Sequence, residues 1–216
     1  MINSEILNNA CILVVGCGGL GGYVIESLVR LGFMHIVAVD GDTFDKSNLN
    51  RQLYATFDTI GKNKAIVARD RALSINNNIH FVAIEKYLDE TNADELVSSC
   101  TIIIDALDNS KTRLLLEDVA TKHNIPIIHG AIDSCFGEIG VVMPNDGLLH
   151  SLYKRNKDKV VSNNAASCAI VANLEVNEAI KVLENKPHLK KNELLLLDLE
   201  TLTFTIVNVN NASKNR

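Results

Sequence analysis

Gly16-Cys17-Gly18-Gly19-Leu20-Gly21 has the spacing G-x-G-x-x-G. Glycine lets a chain turn tightly and lets backbone N–H groups come close to a phosphate, and the N-terminus of a following helix adds unpaired donors and a positive dipole end. Asp40 lies 19 residues past Gly21, where a carboxylate can accept hydrogen bonds from ribose hydroxyls. These two features alone suit NAD and ATP equally. Three further blocks favour ATP: Asn48-Leu49-Asn50-Arg51-Gln52, Gly61-Lys62-Asn63-Lys64-Ala65 and Asp105-Ala106-Leu107-Asp108-Asn109. Arg51 and Lys64 would place fixed positive charge around a triphosphate, and Asp108 would offer Mg²⁺ a hard oxygen ligand. A dinucleotide has no third phosphate to neutralise.

For these groups to meet, each must sit at a strand end. Residues 12–15 form a short apolar run that ends in glycine, as a buried parallel strand does. Leu20, Val24, Leu28 and Leu31 then share one helical face. The pattern predicts further strands at 36–39, 80–84, 102–104, 125–128 and 139–143, with helices over 65–75 and 114–120. Strands alternating with helices predict an α/β fold: a Rossmann-like, doubly wound, mostly parallel sheet covered on both faces. In such a sheet the ligand crevice lies outside the carboxyl ends of the strands. Residues 144–164 lack periodicity and read as a mobile crossing loop carrying the basic run Lys154-Arg155-Asn156-Lys157-Asp158-Lys159. Ala169, Ala172, Val176, Ile180 and Leu183 line a last helix. Residues 193–199 and 202–209 read as a closing pair of strands, so the C-terminus is expected to form a small helix-plus-hairpin lobe. The whole chain, 1–216, reads as a single domain: a nucleotide-binding core at 11–143, a crossover loop at 144–164, and C-terminal helix and strands at 165–209, with a frayed tail at 210–216.

The bulk composition agrees. The chain has 216 residues, 47% hydrophobic and 22% charged, enough for one real core. A net charge of −5 disfavours general affinity for nucleic acid, which needs a basic face. No apolar run approaches the ~20 residues needed to span a bilayer, and the first residues do not read as a signal peptide. The five cysteines, Cys11, Cys17, Cys100, Cys135 and Cys168, contain no C-x-x-C pair, and reduced thiols in a cytoplasm are the simplest expectation. The six histidines show no metal-like spacing; only His129, beside Gly130 at a strand end, is a candidate pocket residue.

Taken in order, G-x-G-G-L-G, D-x-D, S-N-L-N-R-Q, G-K-x-K-A and D-A-L-D-N resemble the ThiF/MoeB/HesA family, relatives of ubiquitin-activating enzymes, over roughly residues 11–185. The resemblance implies adenylation of the C-terminal glycine of a small ubiquitin-like protein, usually a sulfur carrier for thiamine or molybdopterin synthesis. It implies phosphate binding by Gly16, Gly18, Gly19 and Gly21, ribose binding by Asp40 with Asp42 nearby, and triphosphate binding by Asn48, Arg51, Gln52 and Lys64. Asp108 would hold Mg²⁺, Asn109 would position the site, and a homodimer is implied. Arg51, Lys64 and Asp108 would carry the catalysis.

Three features of many relatives are unmatched. The paired cysteines that hold structural zinc are absent, so no zinc is expected. The crossing loop has no cysteine; Cys168 is the nearest. The N-terminal R-Y-x-R-Q-like run, whose arginine reaches into a partner's ATP site, has no counterpart in residues 1–10. Other readings stay open: modification of a tRNA base by the same ATP site, an NAD(P)-dependent oxidoreductase, or a non-catalytic nucleotide-binding relative.

Overall fold

The computed structural model describes residues 2–154 and 163–209. A short helix, α1 (Ser4–Asn9), leads into β1 (Cys11–Val15), α2 (Gly19–Leu31) and β2 (His35–Val39). After a 3-10 turn at Lys46–Asn48 come α3 (Lys64–Ile75), β3 (His80–Ile84), α4 (Ala93–Ser98), β4 (Ile102–Asp105) and α5 (Ser110–His123). The chain continues through β5 (Ile127–Asp133), β6 (Phe136–Val142), α6 (Leu148–Tyr153), α7 (Ala165–Leu183), β7 (Glu193–Asp198) and β8 (Thr203–Asn208).

All eight strands form one sheet in the order β3-β2-β1-β4-β5-β6-β7-β8. The first five are parallel, and β6, β7 and β8 add antiparallel. Helices α2, α3 and α7 cover one face and α4, α5 and α6 the other, each over its own apolar cluster. That two-sided burial explains why β1 and β4 are continuous apolar runs with almost every residue buried. Chain order reverses between β1 and β4, so their carboxyl ends open a crevice at the switch point.

The expected C-terminal helix and hairpin are both present, with the hairpin continuous with the sheet through β6. Elsewhere the boundaries differ for identifiable reasons. The strand expected at 125–128 begins at Ile127, because Asn124 closes α5 in the left-handed conformation and Pro126 has no N–H for the ladder. It then runs to Asp133, because β6 folds back on it from Phe136. The turn between them is Ser134-Cys135, with Ser134 at φ 56°, and it carries none of the Asn-Gly or Asp-Gly signals of a tight hairpin. Part of the expected crossing loop is helical. Over Leu148–Tyr153 the cap comes from a distant side chain: the Glu117 carboxylate accepts the N–H groups of Leu149 and His150. No local residue advertises that helix start. The rest of the loop, 155–162, and the tail, 210–216, lie outside the described residues, and with them all of the basic run except Lys154. Among the described residues no helix is long and apolar enough to cross a membrane.

Candidate active site

At the switch point a cavity of about 560 Å³ opens where β1, β2 and β4 end. The glycine turn forms one wall. Gly16 takes φ +98°, and a Cβ there would lie 2.5 Å from the Ala106 carbonyl oxygen, so the turn is pressed against the end of β4. Gly18 and Gly19 face the cavity. A Cβ on Gly18 would stand 3.3 Å from Gln52 Nε2, and one on Gly19 3.2 Å from Cys168 Sγ. Gly21 is not in the lining. It is the packing glycine of the turn, with no room for a side chain against Gly16.

Asp40 ties this turn to the end of β2. Its Oδ2 accepts the Cys17 N–H at 2.7 Å and its Oδ1 the Asp42 N–H at 2.8 Å. Burial pushes the carboxyl up, and the two N–H donors and Lys64 oppose that. A carboxylate has about four acceptor positions, so two remain open to further donors. Asp42 is more exposed and accepts from Lys64 Nζ at 3.1 Å and from the Tyr87 hydroxyl. Lys64 itself is buried. The Asn63 side chain caps α3 by accepting the Ala65 and Ile66 N–H groups, and the Lys64 N–H donates to the Asp42 carbonyl. The ammonium is therefore carried into the cavity on the first turn of a well-anchored helix.

Arg51, Gln52, Asp108 and Asn109 also line the cavity. Arg51 is braced through one nitrogen: its Nη1 donates to the Ser47 carbonyl at 2.8 Å and to Asn50 Oδ1 at 3.0 Å. Gln52 is buried, and its Oε1 accepts no hydrogen bond among the described residues. Asp108 is exposed at the rim, and Asn109 caps α5 by accepting the Thr112 N–H at 2.9 Å. Asn48 alone of the expected triphosphate residues does not face the cavity. It is buried in a capping box with Asp45, where it holds the loop that presents Arg51 and Gln52.

Sequence reasoning missed the polar cluster below the cavity. Asp105 is fully buried and bonded to Arg113 Nε at 3.2 Å and His129 Nδ1 at 2.8 Å. Arg113 also donates to the carbonyls of Leu107 and Gly130 and stacks 4.6 Å from the Tyr153 ring centre. The Tyr153 hydroxyl donates to Glu138 at 2.6 Å. Burial tends to raise the Glu138 carboxyl, yet His129, Tyr153 and Arg113 together hold it down to about 2. Glu175 on α7 is fully buried against Gly130 with neither oxygen bonded among the described residues, and burial pushes its carboxyl well up, toward the neutral form. Of this group Asp105, which ends the strand expected at 102–104, and His129, a polar residue beside glycine, gave signals in the sequence, but no spacing joined them to Arg113, Glu138 or Tyr153.

Cys17, Cys100 and Cys168 are buried, while Cys11 and Cys135 are half-buried. Burial pushes Cys168 up to about 11, Arg51 opposing, and Cys100 up to about 12. Reactive cysteines need an exposed thiol with a lowered value. Cys135→Ser and Cys168→Ala, singly and together, are expected to leave ATP–pyrophosphate exchange within a few-fold of the parent. A carrier–enzyme thioester seen by mass spectrometry without reductant, and lost in the matching variant, would overturn that expectation.

The ThiF family model matches residues 3–216. The SAMP-activating enzyme E1 of Haloferax volcanii is 30% identical over 203 residues, 91% of this chain and 75% of that protein. The sulfur carrier protein ThiS adenylyltransferase of Bacillus subtilis is 36% identical over 140 residues, 64% of this chain and 42% of that protein. The molybdopterin-synthase adenylyltransferase of Escherichia coli is 28% identical over 210 residues, 93% of this chain and 83% of that protein. Among solved structures, E. coli MccB with AMPCPP and MccA superposes with a TM-score of 0.82 at 21% identity, covering 95% of this chain and 65% of that one. The last likeness is one of fold. A model matched over nearly the whole chain, with a 30% identical relative covering 91% of it, places the protein: it belongs to the ThiF family.

Proposed function

We propose that this chain is an ATP-dependent adenylyltransferase that activates the C-terminal carboxylate of a small ubiquitin-like carrier protein. The observation that carries the reading is the convergence on one cavity of a glycine turn, two cations and an exposed carboxylate: Gly16–Gly19, Arg51, Lys64 and Asp108. In the reaction a carboxylate oxygen bonds to the α-phosphorus, the bond from that phosphorus to the bridging oxygen breaks, and pyrophosphate leaves with the electron pair. The product is an acyl–AMP mixed anhydride. Two anions must approach each other, so the main task is fixed positive charge at the point of reaction. Arg51, held through Nη1, and Lys64, held by Asp42 and the α3 cap, meet that task with little reorganisation. No general base is needed, because a C-terminal carboxylate is already ionised at neutral pH.

The donor set suits Mg²⁺. Asp40 and Asp42 are engaged by N–H groups, Lys64 and Tyr87, whereas Asp108 is exposed at the cavity rim as a hard oxygen donor. Asp108 would hold the ion, which when bound supplies charge neutralisation at the phosphates. A second groove of about 350 Å³ shares Ala131 and Ile132 with the cavity and offers the acceptor a way in. Homodimerisation and residence in the cytoplasm belong to the same reading; light scattering and fractionation test them.

The reading is tested by ATP–pyrophosphate exchange with and without a ubiquitin-like carrier ending in glycine. Exchange that depends on the carrier supports it; none with any such carrier refutes it. Calorimetry gives a separate check on the nucleotide. ATP with Mg²⁺ is expected to bind at least about tenfold more tightly than NAD, since a charge-assisted contact contributes about 1.5–3 kcal/mol. Tighter binding of NAD would remove the adenylation reading.

A further inference from the structure

In the buried cluster of Asp105, Arg113, His129, Glu138 and Tyr153, only Arg113 and Tyr153 reach the cavity lining, the phosphate chemistry just described uses none of the five, and buried charge of this kind is weak evidence for stability. Burying ions is costly, and packed apolar side chains in their place are often as stable or more so. What the cluster does have is geometry. His129, on β5, sits between two walls. Its Nδ1 is 2.8 Å from Asp105 Oδ2, while the other oxygen of that carboxylate, Oδ1, accepts the Leu107 N–H at 3.0 Å and so holds the turn that carries Asp108. Its Nε2 faces Glu138 Oε1 at 3.4 Å and the Tyr153 hydroxyl at 3.1 Å. Glu138 lines the second groove and Tyr153 lines the cavity, and the two spaces meet at Ala131 and Ile132.

We propose that His129, protonated, is a positioning residue that locks the groove wall bearing Glu138 and Tyr153 to the turn bearing Asp108, so that acceptor and nucleotide meet in register. This rests on the adenylation reading above. Only the imidazolium donates from both ring nitrogens, so only that form can serve both carboxylates at once. The charges around it agree. Asp105 from β4 and Glu138 from β6 are anionic, Arg113 from α5 is cationic, Tyr153 from α6 is neutral, and burial pushes Glu175 from α7 toward its neutral form. With His129 charged the cluster sums to zero. With His129 neutral it carries one negative charge beside the point where a carboxylate must approach a phosphate. Burial would favour the neutral ring, but Asp105 and Glu138 outweigh it and raise the His129 value above that of an ordinary histidine. A raised value means the lock is complete below the ordinary value and lost as pH rises through the raised one.

The first measurement needs no acceptor. Nitrogen-15 NMR of the histidine rings in the full chain should show one residue, absent in His129→Asn, that keeps both nitrogens protonated through neutral pH. Its midpoint should lie clearly above the ordinary ~6.5 and move down in Glu138→Gln. A midpoint at or below the ordinary value, or one indifferent to Glu138→Gln, overturns the inference whether or not the protein adenylates anything.

The second measurement is carrier-dependent exchange. His129→Asn keeps a donor toward Asp105 and removes the contact with Glu138 and Tyr153. It should raise the carrier KM or lower kcat by about 10- to 100-fold, the scale of a small misplacement. ATP·Mg²⁺ affinity by calorimetry should stay within about threefold, since the ring does not line the nucleotide cavity. The parent's alkaline loss of activity should disappear in that variant. Tyr153→Phe, at a half-buried position that tolerates the change, should reproduce the acceptor effect in part. Equal losses in nucleotide affinity and acceptor use, or a parent-like alkaline limb in His129→Asn, would overturn the lock. Absence of carrier-dependent exchange in the parent would instead refute the adenylation reading, leaving the ring titration to decide the geometry.

Discussion

Asp108→Ala is expected to fold as the parent does and to lose ATP–pyrophosphate exchange by about 10²- to 10³-fold, the usual cost of removing one charged group from a transition-state site. Both halves of the expectation come from where Asp108 lies. It is exposed at the cavity rim, one residue before the cap of α5, while the cap hydrogen bond itself comes from Asn109. Nothing in the core depends on it, so stability should change by no more than an ordinary surface substitution changes it, about 0.5 kcal/mol or less. The catalytic loss arises because, without a bound Mg²⁺, the cavity's cationic side chains must then neutralise a triphosphate together with an incoming carboxylate, and one of them, Arg113, is already paired with Asp105. Asp108→Asn, which preserves shape, should be nearly as impaired. Raising the Mg²⁺ concentration should recover part of the rate in Asn but little in Ala. Parent-like exchange in either variant would remove Asp108 from the reaction. A large fall in melting temperature would show that it acts in folding.

The parallel half of the fold was legible in the sequence because its strands are buried on both faces and end in chemistry. Residues 12–15, 36–39 and 102–104 are short apolar runs punctuated by Gly16, Asp40 and Asp105, and they stand as β1, β2 and β4. That the glycine turn, Asp40, Arg51, Lys64 and Asp108 would meet in one place was legible for the same reason, since a doubly wound sheet must gather its strand ends, and all of them line the cavity. What escaped was whatever depends on a partner distant in sequence. Helix α6 is started by Glu117, 31 residues before Leu148. The extension of β5 to Asp133 is dictated by β6, not by its own residues. Asn48 carries the right residue type for a ligand, but its amide is spent on the Asp45 backbone. The buried cluster was hidden most completely. Asp105, Arg113, Glu138 and Tyr153 come from four different elements, and no spacing rule links them. Polar residues in otherwise apolar strands, such as His129 in β5 and Glu138 in β6, are the one local trace such clusters leave.

Neighbouring glycines at the start of α2 should respond to alanine in opposite directions. Gly21 and Gly22 are both helical and both buried, and on helix propensity alone each alanine would gain roughly 1 kcal/mol. Surroundings separate them. A Cβ on Gly22 would meet Leu53 Cβ at 3.5 Å, an ordinary contact, so Gly22→Ala should keep the propensity gain and raise the melting temperature by about 2–4 °C. A Cβ on Gly21 would lie 1.8 Å from the Gly16 carbonyl oxygen and 2.7 Å from its carbon. That neighbour is backbone and cannot rotate away. Gly16 is itself held by the Ala106 carbonyl on its other side, and its N–H is bonded to the Val39 carbonyl at 2.9 Å. Relief therefore requires the turn to open, at a cost above the ~1–3 kcal/mol of ordinary overpacking. Gly21→Ala should lower the melting temperature by at least about 4 °C, and it should weaken ATP binding by more than tenfold, because the N–H groups of an opened turn no longer point at one phosphate. Circular dichroism melts and calorimetric titration of the two variants side by side provide the check. If Gly21→Ala melts and binds ATP like Gly22→Ala, the contact between Gly16 and Gly21 does not close the turn, and the phosphate site must be built from other donors.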